Sequence, residues 1–317
     1  MKLIRFHIYI ILSVAFIVVP INAQSKTETD VLEVIKKAAE RSKEYVASFR
    51  NLISEELRTF EVLREDGSVR RRRTVGSTFI VYQLSSDDDR MMEYRHITSV
   101  DGKPIGKADV RAKDFFEKLS RAASSKDEIE QIRKESFRRD EFEIEGYTLF
   151  QGIPLAENFR EIMEFKFLKH DEIEGKPVLV VFYQQINPSE NVRIYDTQDK
   201  RAKDVLVDVA VDTDTRVPLN PRLRGTLWID AATHHILREI REMTAQPNGF
   251  PAPVIVTRSD FTYSESEFAI FTPAKIMVEV FTLQIKKKRV IPDVRANMEY
   301  TRFTNPDVEV RSGDVKN

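Results

Sequence analysis

From Phe159 to Val310 the chain is a succession of short β-like runs joined by brief turns, and this constrains its fold more than any other feature. FREIMEFKFLKHDEIEGKPVLVVFYQQI holds two such runs around Glu174-Gly175. VLVDVAVDT sets Val205, Val207, Val209 and Val211 on one face and Asp208 and Asp212 on the other. Alternation with period two is the pattern of a strand with one wet face. GTLWIDAATHHILREIRE, VIVTRSDFTYSES, FAIFTPAKIMVEVFTLQIKKKR and ANMEYTRFTNPDVEV continue the series. The count comes to about ten strands without a strand–helix–strand rhythm, so the sheet is expected to be antiparallel. PVLVVFYQ and KIMVEVFTLQI are apolar on both faces for part of their length, so each face needs a cover there. TRVPLNPRLRG, residues 215–225, is the main irregular stretch.

Ahead of the β-rich part, the period changes. In TETDVLEVIKKAAERSKEYVASFRNLI, residues Val31, Ile35, Ala38, Tyr45, Phe49 and Leu52 are spaced as one stripe of an amphipathic helix. The spacing predicts a helix over roughly Thr29 to Phe49, with Thr27 and Asp30 at its capping positions. Asp66-Gly67, between two β-rich runs, predicts a hairpin, and a further strand pair is expected around Asp101-Gly102. DVRAKDFFEKLSRAA then places Phe115, Leu119 and Ala122 on one helical face. Ser125 and Glu128 form a capping box before a second short helix bearing Ile129 and Ile132. The expected helical insertion lies near 109–139 and has a highly charged outer side.

The first residues, MKLIRFHIYIILSVAFIVVPINAQ, read as a secretory signal, with Lys2 and Arg5 ahead of an apolar run and a cut after Ala23. The run from Ile8 to Val19 is short of the roughly 20 apolar residues that a membrane-spanning helix needs. The expected organisation is residues 1–23 as signal peptide and 24–317 as one domain. The part after the cut carries 48 basic and 51 acidic residues, a near balance that argues against nucleic-acid binding. No later stretch is apolar enough to span a bilayer, so a soluble periplasmic or secreted protein is expected. The chain has no Cys, which excludes a disulfide framework, a thiol nucleophile and thiolate metal sites.

The arrangement of helix, hairpin and open sheet resembles the outer-membrane lipoprotein carrier family and its lipoprotein-sorting relatives. Gly225, Trp228, Ile229 and Asp230 in GTLWIDAATHHILRE carry the likeness. Proteins of that family similarly place Gly, an apolar residue, Trp and Asp before a tight turn. Pro273 in FAIFTPAKIMVEV is similar to a Pro that opens a late strand there, and EIEGKPVLVVFYQ resembles the preceding turn and strand. The resemblance implies an α+β fold: a large antiparallel open half-barrel, with the N-terminal helix and the inserted helices over its concave face. It also implies a cavity for an acyl chain or another apolar group. Trp228, Tyr183, Met277 and Phe281 are the candidate lining residues, and an ordinary packed core is the rival reading.

His234 and His235 attract attention as neighbours, but adjacent residues of a strand face opposite ways and cannot readily share a metal. At a hairpin turn His is among the residues that accept positive φ, and His234 is expected to fill that role. His96 and His170 are isolated, and His7 belongs to the signal. No metal-binding, nucleophile-elbow or phosphate-loop motif occurs, so no catalytic residue and no cofactor is assigned. Asp87-Asp88-Asp89 and Asp212-Thr213-Asp214 lack the ligand spacing of a calcium loop and read as solvated turns. Two basic clusters remain, Arg70-Arg71-Arg72-Arg73 and Lys286 to Arg289. Four consecutive Arg on a strand turn two to each face. They could contact anionic head groups or an acidic partner, or form a charged edge that discourages aggregation. The expected function is non-catalytic binding of an apolar or lipid-linked ligand in the cell envelope. The alternatives are a sensor or adaptor contacting an envelope protein and, behind it, a hydrolase without a recognisable site.

Overall fold

The computed structural model describes residues 30–48, 52–85, 88–105, 151–196, 207–211, 213–214, 219–266 and 270–304, with the backbone alone at 46, 82–85, 88–92, 195–196, 207–211 and 304. The expected signal, the helical insertion, Asp87, Val205, Asp212 and much of the 215–225 stretch lie outside these residues.

The chain opens with helix α1, Val31–Ser48. Its start is capped by Asp30, whose Oδ1 accepts the N–H groups of Leu32 at 3.0 Å and Glu33 at 3.3 Å. Asp30 caps the helix as the sequence reading expects, while Thr27 lies outside the described residues. Val34, Ile35, Ala38, Ala39, Ser42 and Tyr45 form the buried stripe, and Leu32 is 72% exposed beside it.

The strands follow as β1 (Ile53–Leu63), β2 (Val69–Ser85), β3 (Asp88–Val100) and β4 (Lys103–Pro104). After a 3-10 turn at Ile153–Leu155 and the short α2 (Glu157–Arg160) come β5 (Met163–Ile173) and β6 (Lys176–Gln185). They continue with β7 (Val192–Asp196), β8 (Val207–Val211), β9 (Arg222–Asp230), β10 (Ile236–Ala245), β11 (Val254–Glu265), β12 (Phe271–Gln284) and β13 (Arg289–Thr304). Eleven of them form one sheet in the order β4-β3-β2-β1-β13-β12-β11-β10-β9-β6-β5, antiparallel throughout and not closed on itself. The exception to the antiparallel expectation is the separate pair β7–β8, which is parallel. The turns form where the sequence places them. Asp101-Gly102 and Glu174-Gly175 have positive φ at both positions, as tight two-residue hairpins need, and His234 has φ 63°.

Strand alternation gives the sheet two unlike faces. The face under α1 carries the main core, including Val181, Leu227, Phe261, Ile276, Met298 and Phe79. The opposite, open face holds a small apolar cluster of Val178, Val180 and Leu237, with Trp228, Ile173 and Phe271 packed against it. Both sides of PVLVVFYQ are therefore covered, as its composition requires.

The open face also carries a row of nine cross-strand neighbours. Glu164, Gln184, Arg224, Glu242, Arg258, Glu279, Arg295, Glu61 and Arg72 follow one another from β5 to β2 in register. From Arg224 onward the charges alternate in sign. Arg224 meets Glu242 at 2.8 Å, Arg295 meets Glu279 at 3.1 Å and Glu61 at 3.4 Å, and Arg72 meets Glu61 at 2.6 Å. Opposite charges directly across strands attract, so this row favours one register over a slipped one.

Antiparallel order brings the β1–β2 turn (64–68), the β12–β13 turn (285–288) and the β10–β11 loop (246–253) to the same end of the strands. The first two are tied by Arg289, whose Nη2 donates to Glu65 Oε2 at 3.3 Å.

Candidate functional site

The family-like hairpin β9–β10 is built from three residues with separate tasks. Asp230 organises the turn: its Oδ1 accepts the N–H groups of Ala232 at 2.9 Å and Thr233 at 2.7 Å. Burial raises the Asp230 carboxyl, but these hydrogen bonds outweigh it and hold the group below the ordinary aspartate value. Trp228 lies on the open face, where the Arg238 guanidinium sits 4.8 Å from its ring centroid. Arg238 also forms a two-point pair with Asp260 at 2.9 and 2.6 Å.

Gly225 serves the other face. It stands between Tyr183 and Arg241 in register, and a Cβ on it would overlap the Ile240 carbonyl oxygen and lie 2.6 Å from Tyr183 Oη. The absence of a side chain lets the Tyr183 ring lie across β9 and reach β10. There its hydroxyl donates to Glu239 Oε1 at 3.0 Å.

Glu239 is the centre of a buried polar site. It is 0% exposed and accepts four hydrogen bonds. They come from Tyr183, from Arg241 Nε at 2.9 Å and Nη2 at 2.8 Å, and from the Gly152 N–H at 3.1 Å. Arg241 in turn lies over the Phe261 ring at 4.6 Å. Burial works against the Arg241 charge, but the Glu239 carboxylate more than offsets it and holds the guanidinium above its ordinary value. Burial, reinforced by the Glu239 charge, pushes both Tyr183 and Tyr263 well above the usual tyrosine value. Both phenols are neutral donors at any ordinary pH.

Three further polar atoms border this ion pair with no hydrogen-bond partner among the described residues: Ser42 Oγ, Gln151 Oε1 and Tyr263 Oη. Ser42 comes from α1 and faces Gly152, where an added Cβ would lie 2.9 Å from its Oγ. Gln151 is fixed through Nε2, which donates to the Ile236 carbonyl at 3.2 Å. Tyr263 meets Tyr45 of α1 edge-on at 5.7 Å. Each of these residues is more than nine-tenths buried. A buried hydroxyl or carbonyl without a partner costs about 1–3 kcal/mol, so such a group among apolar neighbours is a site for something polar.

A second buried ionic cluster sits on the same face. Glu56 accepts Arg95 Nε at 2.9 Å and Ser77 Oγ at 2.8 Å, and meets Arg58 Nε at 3.2 Å. Arg95 also donates to Glu93 at 2.9 Å. Burial raises Glu56, but the two guanidiniums and the hydrogen bonds win and hold its carboxyl below the ordinary range.

The structure divides the expected lining residues. Tyr183 is on the covered face but is fully buried and engaged with Glu239. Trp228 and Met277 are on the open face, the latter in register between Asp260 and Asn297. They line nothing under α1, because strand alternation turns them away from it. Phe281 follows a bulge between Val280 and Phe281 and is half-buried. No group of three or more His, Asp or Glu that could hold a metal occurs among the described residues. His235 is stacked on Phe271 at 4.2 Å. Of the arginine run, Arg71, Arg72 and Arg73 pair with β1 in register, and Arg70 sits in the bulge before Arg71. Strand β3 pairs with β2 from Val75 onward, so among the described residues this stretch has a strand on one side only.

Sequence reasoning passed over Glu239 and Arg241. Their signal was a Glu-x-Arg spacing that puts both on one face of a strand. The bulge between Ile236 and Arg238 shifts the phase of β10, and so hides which face that is.

No protein-family model matches the chain, and no curated protein is detectably similar in sequence. Solved structures similar to it include a DUF1329 family protein from Desulfovibrio piger, at 10% identity and a TM-score of 0.35, covering 87% of this chain and 94% of that one. Another is a provisionally assigned outer membrane lipoprotein-sorting protein domain from Vibrio parahaemolyticus, at 10% identity and a TM-score of 0.29, covering 85% and 91%. No helix among the described residues is long and apolar enough to cross a membrane.

Proposed function

We propose that the protein is a non-catalytic binding protein of the cell envelope that holds an apolar or lipid-linked ligand between α1 and the covered face of the sheet. One observation carries this reading. Within an apolar surface, Ser42, Gln151 and Tyr263 keep unspent hydrogen-bonding capacity beside an ion pair that is already neutral overall. A ligand suited to that place is mostly hydrocarbon with an uncharged polar group, such as an ester or amide, near one end. A free carboxylate would have to displace Glu239 from Arg241 and would leave one carboxylate buried without its cation. Helix α1 is the movable cover; among the described residues it is tied at its exposed side by Lys43 to Glu157 at 2.6 Å and by Arg41 to the Thr233 carbonyl at 3.2 Å. The envelope setting is that of the N-terminal signal expected from residues 1–23.

Native mass spectrometry of the protein purified from its own envelope, with an acyl ester probe in parallel, tests the reading. A co-purified acylated species is expected, together with saturable probe uptake that Tyr263→Phe weakens about ten-fold or less, the loss of one hydrogen bond. An adduct-free protein that takes up no probe would refute it.

A further inference from the structure

The two basic clusters lie more than 200 positions apart in sequence, yet the fold puts them at one end of the sheet. The contact between Arg289 and Glu65 joins the hairpins that carry them. Lys286, Lys287, Lys288 and Arg289 are all exposed, as are Arg70, Arg71 and Arg72. The lysines occupy a four-residue turn closed by the Lys288 N–H on the Ile285 carbonyl at 3.1 Å, with Lys288 at φ 50°. Among the described residues, Arg70, Lys286, Lys287 and Lys288 have no acidic partner. Of the acids at this end, Glu65 pairs with Arg289 and Asp66 accepts from Ser68, while Asp101 accepts the Thr74 N–H at 2.9 Å and Asp214 the Ile285 N–H at 2.8 Å. Near Lys288 runs the β10–β11 loop, where a Cβ added at Gly249 would lie 3.5 Å from Lys288 Cε, and which is tipped by exposed Pro251, Ala252 and Pro253. The opposite strand ends include the β5–β6 turn, where exposed Asp171, Glu172 and Glu174 stand beside Lys176 and Lys169, the latter paired with Asp171 at 2.7 Å.

We propose that this hairpin end is the surface by which the protein docks on an anionic phospholipid bilayer. Three features favour a bilayer over an acidic polypeptide. The cations are spread over two hairpins instead of lining a groove. The lysines are flexible point charges without a fixed fork to match one carboxylate. The Pro-Ala-Pro tip gives the contact an uncharged element that a headgroup region accommodates. Docking through this end would hold the β5–β6 turn, at the opposite strand ends, away from the membrane. The inference is independent of what α1 covers, and its failure would leave the ligand reading untouched.

Co-sedimentation of the whole protein with vesicles tests it, comparing phosphatidylglycerol in phosphatidylcholine with phosphatidylcholine alone. Binding is expected only where phosphatidylglycerol is present, and is expected to fall steeply with added salt. Each cation removed should weaken it by about five-fold, so the triple variant Lys286→Gln, Lys287→Gln, Lys288→Gln should lose well over ten-fold. Arg70→Gln, on the other hairpin, should lose about five-fold, and Lys176→Gln, at the opposite end, should bind as the parent does. These are exposed positions, and acyl probe uptake by each variant should equal that of the parent. Equal binding to both vesicle types, or equal losses at Lys176 and the triple site, would overturn the proposal. Tighter binding to poly-glutamate than to vesicles would also overturn it, in favour of an acidic protein partner.

Discussion

Tyr183 reaches Glu239 across an intervening strand: its ring crosses Gly225 of β9 so that its hydroxyl meets the Glu239 carboxylate of β10 at 3.0 Å. A conspicuous glycine, a buried tyrosine and a buried acid are thereby parts of one construction. An aromatic ring laid over a cross-strand glycine stabilises a pair that would otherwise lack side-chain contact.

Gly225→Ala should consequently destabilise the protein by about 1–3 kcal/mol or more, because the new methyl meets a backbone carbonyl as well as the ring. Adding Tyr183→Phe removes only the hydroxyl and should recover little. Urea unfolding of the two variants measures both effects; full recovery in the double variant would show that the backbone overlap is not the cost.

Removing one charge of the central pair should be far worse than removing both. Glu239→Leu leaves Arg241 buried without its counter-ion, at an expected cost of about 3–5 kcal/mol. Glu239→Leu combined with Arg241→Met should restore most of that loss. A double-mutant cycle on unfolding midpoints checks it, and strict additivity would contradict the assignment.

On the open face, Glu61 is only 7% exposed and lies between Arg72 and Arg295. Glu61→Lys puts three cations in a row and should cost about 1–2 kcal/mol in dilute buffer. The difference from the parent should shrink in high salt, where screening weakens like-charge repulsion. An unfolding series at rising ionic strength reads this directly.

His235 gives a pH dependence of known sign. Burial first, then the Arg41 guanidinium, holds its imidazole below the ordinary value of 6.5. The folded state thus favours the neutral ring. The stability this contributes is complete above the unfolded value and is lost as pH falls through the lower folded one. His235→Phe keeps a ring against Phe271 and should flatten the stability profile on the acid side of the ordinary histidine value. Parallel profiles for parent and variant would remove His235 as the cause.

Much of this architecture was legible without coordinates because it rests on local physics. The apolar stripe defines α1. Asp101-Gly102, Glu174-Gly175 and His234 take up positive φ where tight turns require it. Period-two runs without intervening helices specify an antiparallel sheet. What local pattern could not decide was phase and company. Alternation says that neighbouring side chains face opposite ways, but not which way is inward, and so the sequence left open the face of Trp228 and Met277, which lie on the side away from α1. Bulges reset that phase within a strand, as between Ile236 and Arg238. Company depends on strand order. Arg295 finds Glu61, and Arg289 finds Glu65, only because the last strand lies beside the first. Backbone sterics and side-chain periodicity act over a few residues and are written in the sequence. Closure of the chain over more than 200 residues brings partners together, and only the tertiary structure shows which ones meet.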